Sequence, residues 1–167
     1  AIIRSMSYDN LTAHKTESEI GWGVLASATF NVMNCLQVYG QGVYGKGIGQ
    51  FLNDMSLLNV DVVPNPEKEG KMQVLPMMGW FAGMQYNFSP KVFITSTYGQ
   101  SRLYSHDGYP TTPSEQYRYG QYLNATLFWN ITSDLQVGAE YLRGWRTDFN
   151  GDTRHANRMN LAVQYSF

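Results

Sequence analysis

Seven arginines are the residues of this sequence best suited to chemistry. Guanidinium groups bind carboxylates and phosphates through paired hydrogen bonds, and rings of Arg or Lys inside a pore favour anions. Most acidic residues fall in predicted loops or turns, whereas Glu140 is the main acid within a predicted strand. The pattern predicts a positive wall between negative ends, although wall arginines could equally pair with Glu140 and stiffen the structure. The arginines are Arg4, Arg102, Arg118, Arg143, Arg146, Arg154 and Arg158.

Two short motifs could indicate nucleotide binding or catalysis. Residues 40–45 spell GxGxxG, but the following Lys-Gly-Ile-Gly is a poor start for the helix that a dinucleotide site requires. Ser105, His106 and Asp107 are triad residue types, yet a catalytic triad normally assembles from distant segments. We therefore expect a glycine-rich strand and a solvated turn, with no catalytic residues and no enzymatic activity.

The composition excludes several other classes of site. Twelve Lys+Arg against thirteen Asp+Glu give a net charge of −1, whereas nucleic-acid-binding proteins are normally strongly basic. The single cysteine, Cys35, excludes a disulfide scaffold, and three separated histidines form no metal-ligand pattern. We expect no metal, no cofactor and no nucleic-acid partner.

The composition is poor in charge and rich in aromatic residues, and no segment is suited to a membrane-spanning helix. Charged residues make up only 15% of the 167 residues, against about 25% in soluble domains, and aromatic residues make up 14%. The longest apolar stretch, residues 74–84, is too short for a transmembrane helix and is interrupted by proline and glycine. The first residues lack the features of a signal peptide.

Alternation of apolar and polar residues defines the elements that must position the arginines. A period of two predicts strands with one apolar and one polar face. Three further strands, with less distinct faces, are predicted over 1–9, 36–46 and 91–104. The clear apolar rows run through 20–32, 78–88, 123–131, 135–141 and 159–167.

The connections alternate in length, which predicts the topology. Tight turns rich in Asn, Ser and Asp are predicted near 31–34, 87–90 and 130–134. The long loops are 10–18, 50–71, 104–116 and 147–155. Strands of about 10–14 residues exceed the usual 5–6 and suffice for a membrane-crossing strand. The sequence predicts an all-β, antiparallel, up-and-down transmembrane β-barrel of about eight strands in a single domain, residues 1–167.

Aromatic residues are predicted to form bands at both ends of these strands, as amphipathic rings do at membrane interfaces. The alternative is that aromatic residues simply favour strands. The band beside the short turns contains Phe88, Trp129, Tyr165 and Phe167. The band near the long loops contains Trp22, Tyr117, Tyr119 and Trp145.

Several segments resemble a known family. The alternating residues 159–167, which end in phenylalanine, are similar to the assembly signal of outer-membrane barrels. Four segments, in this order, resemble the DcaP-like family of bacterial outer-membrane porins. They are Val43-Tyr44-Gly45-Lys46-Gly47-Ile48-Gly49, Gly79-Trp80-Phe81-Ala82-Gly83-Met84-Gln85-Tyr86-Asn87, Asp134-Leu135-Gln136-Val137-Gly138-Ala139-Glu140-Tyr141 and His155-Ala156-Asn157-Arg158.

The resemblance implies more than the residues alone. Such porins are larger barrels of about sixteen strands that assemble as homotrimers in the outer membrane of Gram-negative bacteria and pass small carboxylates. With about eight strands, this chain is expected to be the carboxy-terminal half of such a barrel.

Strand parity assigns the candidate pore-lining and solute-binding residues. Arg118, Arg146 and Arg158 share the polar faces of their strands, whereas the facing of Arg102 stays open. Arg143 has apolar parity and is expected at the outer rim, near lipopolysaccharide phosphates or a subunit contact. Loop 50–71 begins with apolar residues and is expected either to constrict the barrel or to pack on a neighbouring subunit. The full set is Arg102, Arg118, Arg146 and Arg158, with Arg4 and Glu140 as lesser members.

Together these features predict a channel of the bacterial outer membrane for passive diffusion of small hydrophilic solutes, preferentially anions, without a chemical step. Its expected partners are outer-membrane lipid, lipopolysaccharide, small anionic solutes and further copies of itself. An alternative is a complete eight-stranded barrel that acts through its loops as an anchor, adhesin or lipid-modifying enzyme. A soluble lipocalin-like binder is a third possibility.

Overall fold

Alternating apolar and polar residues form a sheet of eight antiparallel strands in this computed structural model, which describes residues 1–112 and 114–167. Two further short strands form a hairpin within the loop before β6. A 3-10 turn covers Gly49–Phe51. The strands are β1 Ile2–Asn10, β2 Lys15–Met33, β3 Leu36–Lys46, β4 Val62–Pro64, β5 Met72–Val74, β6 Pro76–Asn87, β7 Val92–Leu103, β8 Tyr117–Asn130, β9 Leu135–Asp148 and β10 Thr153–Tyr165.

The main sheet follows chain order, so each strand pairs with its neighbours in the sequence apart from the inserted hairpin. Its order is β1-β2-β3-β6-β7-β8-β9-β10, and every pairing is antiparallel. Within the described residues, β1 pairs only with β2 and β10 only with β9. The predicted all-β, up-and-down topology is confirmed, and the sheet is open rather than closed.

One side of the sheet, which we call the apolar face, carries the predicted apolar rows. It consists of the even-numbered residues of β2, β3, β6 and β7 and the odd-numbered residues of β1, β9, β10 and, from Tyr119 onward, β8. Large side chains remain exposed there, including Trp80 at 37% and Leu161 at 83%. All four tryptophans lie on this face. Such an extended apolar surface requires an apolar partner.

The opposite side, the loop face, is covered near one end by residues 48–75. Ser101 on this face donates a hydrogen bond from its hydroxyl to the Asp54 carboxylate of the loop. The loop predicted to constrict the barrel or contact another subunit therefore packs against the sheet of its own chain. The buried core that joins them consists of Ile48, Leu52, Met55, Val60, Val63, Leu75, Met77, Leu103 and Tyr117.

The ends of several strands differ from the predictions. Strand β2 begins at Lys15 and β10 at Thr153, within stretches that were expected to be loops. These hairpins continue where both faces are polar, so apolar alternation could not reveal them. The loop predicted over 104–116 does separate two strands, although residue 113 lies outside the described residues. The GxGxxG motif lies wholly within β3, as expected.

Gly45 permits an unusually close approach of β3 to β2. A Cβ at Gly45 would lie 2.0 Å from the carbonyl oxygen of Trp22 and 2.7 Å from the Cα of Gly23. In the same strand, a Cβ at Gly42 would meet its nearest atom, the Cβ of Trp80, at 4.0 Å. The two glycines therefore provide a matched pair for mutation.

We predict that Gly45→Ala lowers the free energy of unfolding of the full-length protein in detergent by about 1–3 kcal/mol, because the backbones of β2 and β3 must separate. Gly42→Ala should be close to wild type. Denaturant unfolding followed by tryptophan fluorescence measures both. Equal stability of the two variants would contradict the close approach.

Candidate functional site

Three arginines gather on the loop face where β9 pairs with β10. Arg146 of β9 and Arg154 of β10 are direct Cα partners, so their side chains leave the sheet side by side. Arg158 follows four residues later on the same face of β10. Two same-face steps along a strand cover about 13 Å. The arginines therefore form a short positive column along the loop face.

The charges of this column are unequally compensated. Arg146 donates from Nε to Oδ1 of buried Asp148 at 2.7 Å, and its guanidinium lies 5.6 Å from the ring of Tyr117. Arg154 lies 3.9 Å from Glu115, and both side chains are well exposed. Ion pairs this exposed contribute little to the free energy of folding and compensate charge weakly. Arg158 makes no ion pair or hydrogen bond within the described part of the chain. The positive charge is consequently least compensated at Arg154 and Arg158.

A cleft of about 420 Å³ lies beside the column and is closed on one side by the loop. Its lining includes Asp54 from the loop, Tyr117 and Tyr122 from β8, and the paired arginines. Asp54 is held by the hydroxyl of Ser101, which also contacts the hydroxyl of Tyr117. A carboxylate and two guanidinium groups from different elements thus line the same cleft.

Glu140 is held by neutral side chains rather than by arginine. Its Oε2 accepts hydrogen bonds from Asn124 Nδ2 at 3.0 Å and Thr126 Oγ1 at 3.1 Å. Its Oε1 accepts one from Asn160 Nδ2 at 2.6 Å. These three donors satisfy the carboxylate across β8, β9 and β10. The arginine column is therefore not neutralised by Glu140 through direct contact.

Arg4 has a different function, because it attaches the loop to the edge strand β1. Its Nη1 donates to Oδ2 of Asp61 at 2.9 Å and to the carbonyl of Gly47 at 3.3 Å. Its Nη2 donates to Gln50 Oε1 at 3.1 Å. Asp61 also accepts a hydrogen bond from the backbone N–H of Gly49. Arg4 lies on the loop face, but its charge is used to position the loop.

A second ionic contact holds the far end of the same loop. Lys71 Nζ lies 2.6 Å from Oε2 of Glu17, and Lys15 Nζ lies 3.0 Å from Oε1. The neighbouring Glu17 carboxylate raises the pKa of Lys71, so this contact remains charged at neutral pH. The loop is thus anchored at both ends.

Two of the predicted pore-lining arginines lie elsewhere. Arg102 has Met78 and Tyr119 as Cα partners, which places it on the apolar face. Arg118 is the extra residue of a bulge between Tyr117 and Tyr119, and its guanidinium lies 6.0 Å from the ring of Tyr119. The pairing thus settles the facing of Arg102 that the sequence left open, and the bulge breaks the parity that grouped Arg118 with Arg146 and Arg158.

The bulge also removes Tyr117 from the aromatic band that was predicted near the long loops. Tyr117 faces the loop and is buried in the core, so it does not belong to the band at the far interface. Arg143 lies on the apolar face as predicted, with its guanidinium 5.1 Å from the ring of Trp145.

Sequence reasoning left one arginine out of the site. Arg154 was assigned to a loop because residues 147–155 are polar, yet it lies in β10 opposite Arg146. The available signal was its spacing of four from Arg158, which gives both residues the same face of one strand.

The described residues contain no group of three or more His, Cys, Asp and Glu side chains arranged to hold a metal. They also contain no helix with the length and apolar character needed to cross a membrane. Within the triad-like segment, His106 Nδ1 lies 3.7 Å from Asp107, and Nε2 lies 3.4 Å from Lys46 Nζ.

The sheet is an open antiparallel meander with one exposed apolar face and one face that carries the loop and the arginine column. The fold is similar to the crystal structure of the outer membrane channel DcaP of Acinetobacter baumannii, with a TM-score of 0.74 and 20% sequence identity. The similarity covers 90% of this chain and 42% of that channel, so the chain spans about two fifths of its length. No protein-family model and no curated protein matches the sequence.

We predict that Asp61→Asn loosens the loop, because it removes the charge that Arg4 binds while keeping the side chain's size. Loss of a hydrogen bond to a charged group should raise tryptic cleavage after Lys68 or Lys71 about tenfold. Mass spectrometry of timed digests measures the rate. Asp152→Asn, in the turn between β9 and β10, is the matched control, and equal rates in both variants would argue against the attachment.

Proposed function

We propose that this chain is part of the wall of a porin of the DcaP-like family in the outer membrane of a Gram-negative bacterium. The porin lets small hydrophilic solutes diffuse passively and prefers anions, with small carboxylates as the solute class. No chemical step is involved, and no cofactor is needed. The observation that carries the proposal is a single sheet whose apolar face is exposed while its other face carries a column of arginines with more positive charge than its acidic partners compensate.

The apolar face supports the location. Exposed Val, Leu, Met and Trp side chains cover it from β2 to β10, which is unfavourable in water and favourable against lipid. The β6, β7 and β8 strands have 12, 12 and 14 residues, enough to cross a bilayer at the tilt usual in barrels.

The open edges support a barrel larger than this sheet. Backbone N–H and C=O groups cannot remain unpaired in hydrocarbon, and β1 and β10 each offer one unpaired side. We propose that additional strands pair with both edges, and that this chain supplies the carboxy-terminal half. A complete eight-stranded barrel would instead need β1 paired with β10.

The charge arrangement supports anion preference. Arg154 and Arg158 extend from the loop face without a strong acidic partner, and Arg146 lies beside them. Guanidinium groups match carboxylates in shape and hydrogen bonding. The loop anchored by Arg4 narrows this passage, and Asp54 at its edge faces the arginines across the cleft. We propose Arg146, Arg154 and Arg158 as the solute-facing residues, with Glu140 organising the wall.

The proposed position of the sheet in the outer membrane also implies further partners. Outer-membrane lipid covers the apolar face, and lipopolysaccharide contacts its rim near Arg143. The family resemblance suggests a homotrimer, whose contacts would use part of the apolar face.

Ion selectivity tests the proposal directly. The full-length protein in a planar bilayer, under a KCl gradient, should give a reversal potential that indicates preferred chloride passage. Arg154→Gln with Arg158→Gln should lower the chloride-to-potassium permeability ratio several-fold, because the two least compensated positive charges leave the passage.

Arg143→Gln is the matched control, since it removes the same charge from the apolar face and should leave the ratio unchanged. Cation preference of the wild-type protein would contradict the anion proposal. Absence of any conductance would contradict the channel itself and favour a function carried by the loops.

A further inference from the structure

We infer that the apolar face binds a lipid with a phosphate in its headgroup, with Arg102 and Arg118 receiving the phosphate and an adjoining groove receiving an acyl chain. The inference rests on the membrane orientation proposed above and adds a specific site to it. It concerns the outside of the barrel wall, not the solute passage.

The positive charge at this site has no acidic counterpart on the same face. The apolar-face rows of β3, β6, β7, β8 and β9 contain no Asp or Glu. Neither Arg102 nor Arg118 forms an ion pair within the described chain, and Arg102 Nε is buried without a hydrogen-bond acceptor. Lys46 adds a third cation from the β3 row. A ligand that carries negative charge and several acceptor oxygens would complement this group.

Aromatic rings hold the two guanidinium groups in place. That of Arg102 lies 5.1 Å from the ring centroid of Tyr104 and 5.6 Å from that of Tyr119. That of Arg118 lies 6.0 Å from the same Tyr119 ring. Cation–π contacts orient the planar groups but do not use their N–H donors. Both guanidinium groups thus lie beside the same ring with donors left for a ligand.

The level of these cations along the strands corresponds to a membrane interface. Lys46 and Arg102 lie ten residues from the short-turn ends of their strands, and Arg118 lies twelve. A membrane-crossing strand needs about 9–11 residues. The cations therefore lie where lipid phosphates would be, on the side of the long loops.

An apolar groove of about 720 Å³ lies on the same face, nearer the short turns than the cations. Its floor is flat because neighbouring strands carry only small side chains there: Ala26, Ala28, Gly40, Gly42 and Ala82. Tyr98 lines the groove and precedes Arg102 by four residues on the same face of β7. A chain that descends from a phosphate at Arg102 would therefore reach the groove. Trp80 pairs with Gly42 and borders it.

Quenching of tryptophan by brominated lipids tests the site, because all four tryptophans lie on the apolar face. The full-length protein is reconstituted into phosphatidylcholine vesicles that contain either dibrominated phosphatidic acid or dibrominated phosphatidylcholine with the same chains. Phosphatidic acid should bind preferentially at the site, and Trp80→Phe should remove most of the difference between the lipids.

Single substitutions should separate this site from general surface charge. Arg102→Gln and Arg118→Gln should each reduce the preference for phosphatidic acid about fivefold. Arg102→Lys should retain much of it by keeping the charge. Lys68→Gln, in the exposed loop tip, is the matched control and should not alter it.

Several outcomes would overturn the inference. Equal quenching by both lipids, or a preference that Arg102→Gln leaves intact, would exclude the site. If millimolar inorganic phosphate abolishes the preference for phosphatidic acid, and the tryptophans that report this preference do not include Trp80, the arginines form a site for a soluble anion. Absence of quenching at Trp80 would indicate that another copy of the protein covers the groove. Each result is independent of the reversal potential, so failure here is distinguishable from failure of the channel proposal.

Discussion

Pairing of backbone N–H and C=O groups between neighbouring strands is the constraint on which this structure depends. A strand that crosses hydrocarbon cannot satisfy these groups internally, so each one requires a neighbour on both sides. Six of the eight strands meet this requirement within the sheet, and β1 and β10 meet it on one side only. The exposed apolar face has a related requirement. Contact of its large side chains with water is unfavourable in free energy, so this face needs an apolar environment. Backbone pairing and an apolar outer surface are therefore both required of a sheet that lies in an apolar environment.

Within that framework, arginine is used in three ways. Arg4 is neutralised by Asp61 and fixes a loop, and Arg146 is partly neutralised by Asp148. Arg154 and Arg158 lie on the loop face with weak or no acidic partners among the described residues. Arg102, on the outside of the sheet, stacks on aromatic rings instead of pairing with an acid. The local partner, rather than the residue type, decides how much positive charge each arginine contributes to its face of the sheet.

Much of the fold could be predicted because a period of two survives wherever one face of the sheet is apolar and the other polar. The rows ending in Phe88 and Phe167 were assigned to the correct face for that reason. The prediction failed where this contrast is weak. Polar residues on both faces hid the start of β10 and with it Arg154, and a one-residue bulge breaks the parity from which the facing of Arg118 was predicted. The attachment of the loop through Arg4 and Asp61 could not be predicted, because 57 residues separate the two side chains and no spacing rule relates them.

That separation has a consequence for the order of folding. The strand hairpins join residues that are near in sequence, whereas the loop is held by contacts between residues 4 and 61 and between residues 54 and 101. Contacts that close such long segments form late, after the local pairings have lowered their entropic cost. The loop can reach its final position only when β1 and β7 are already in the sheet. In the porin proposed above, the width of the passage would then be set at the last stage of assembly, after the surrounding strands have paired.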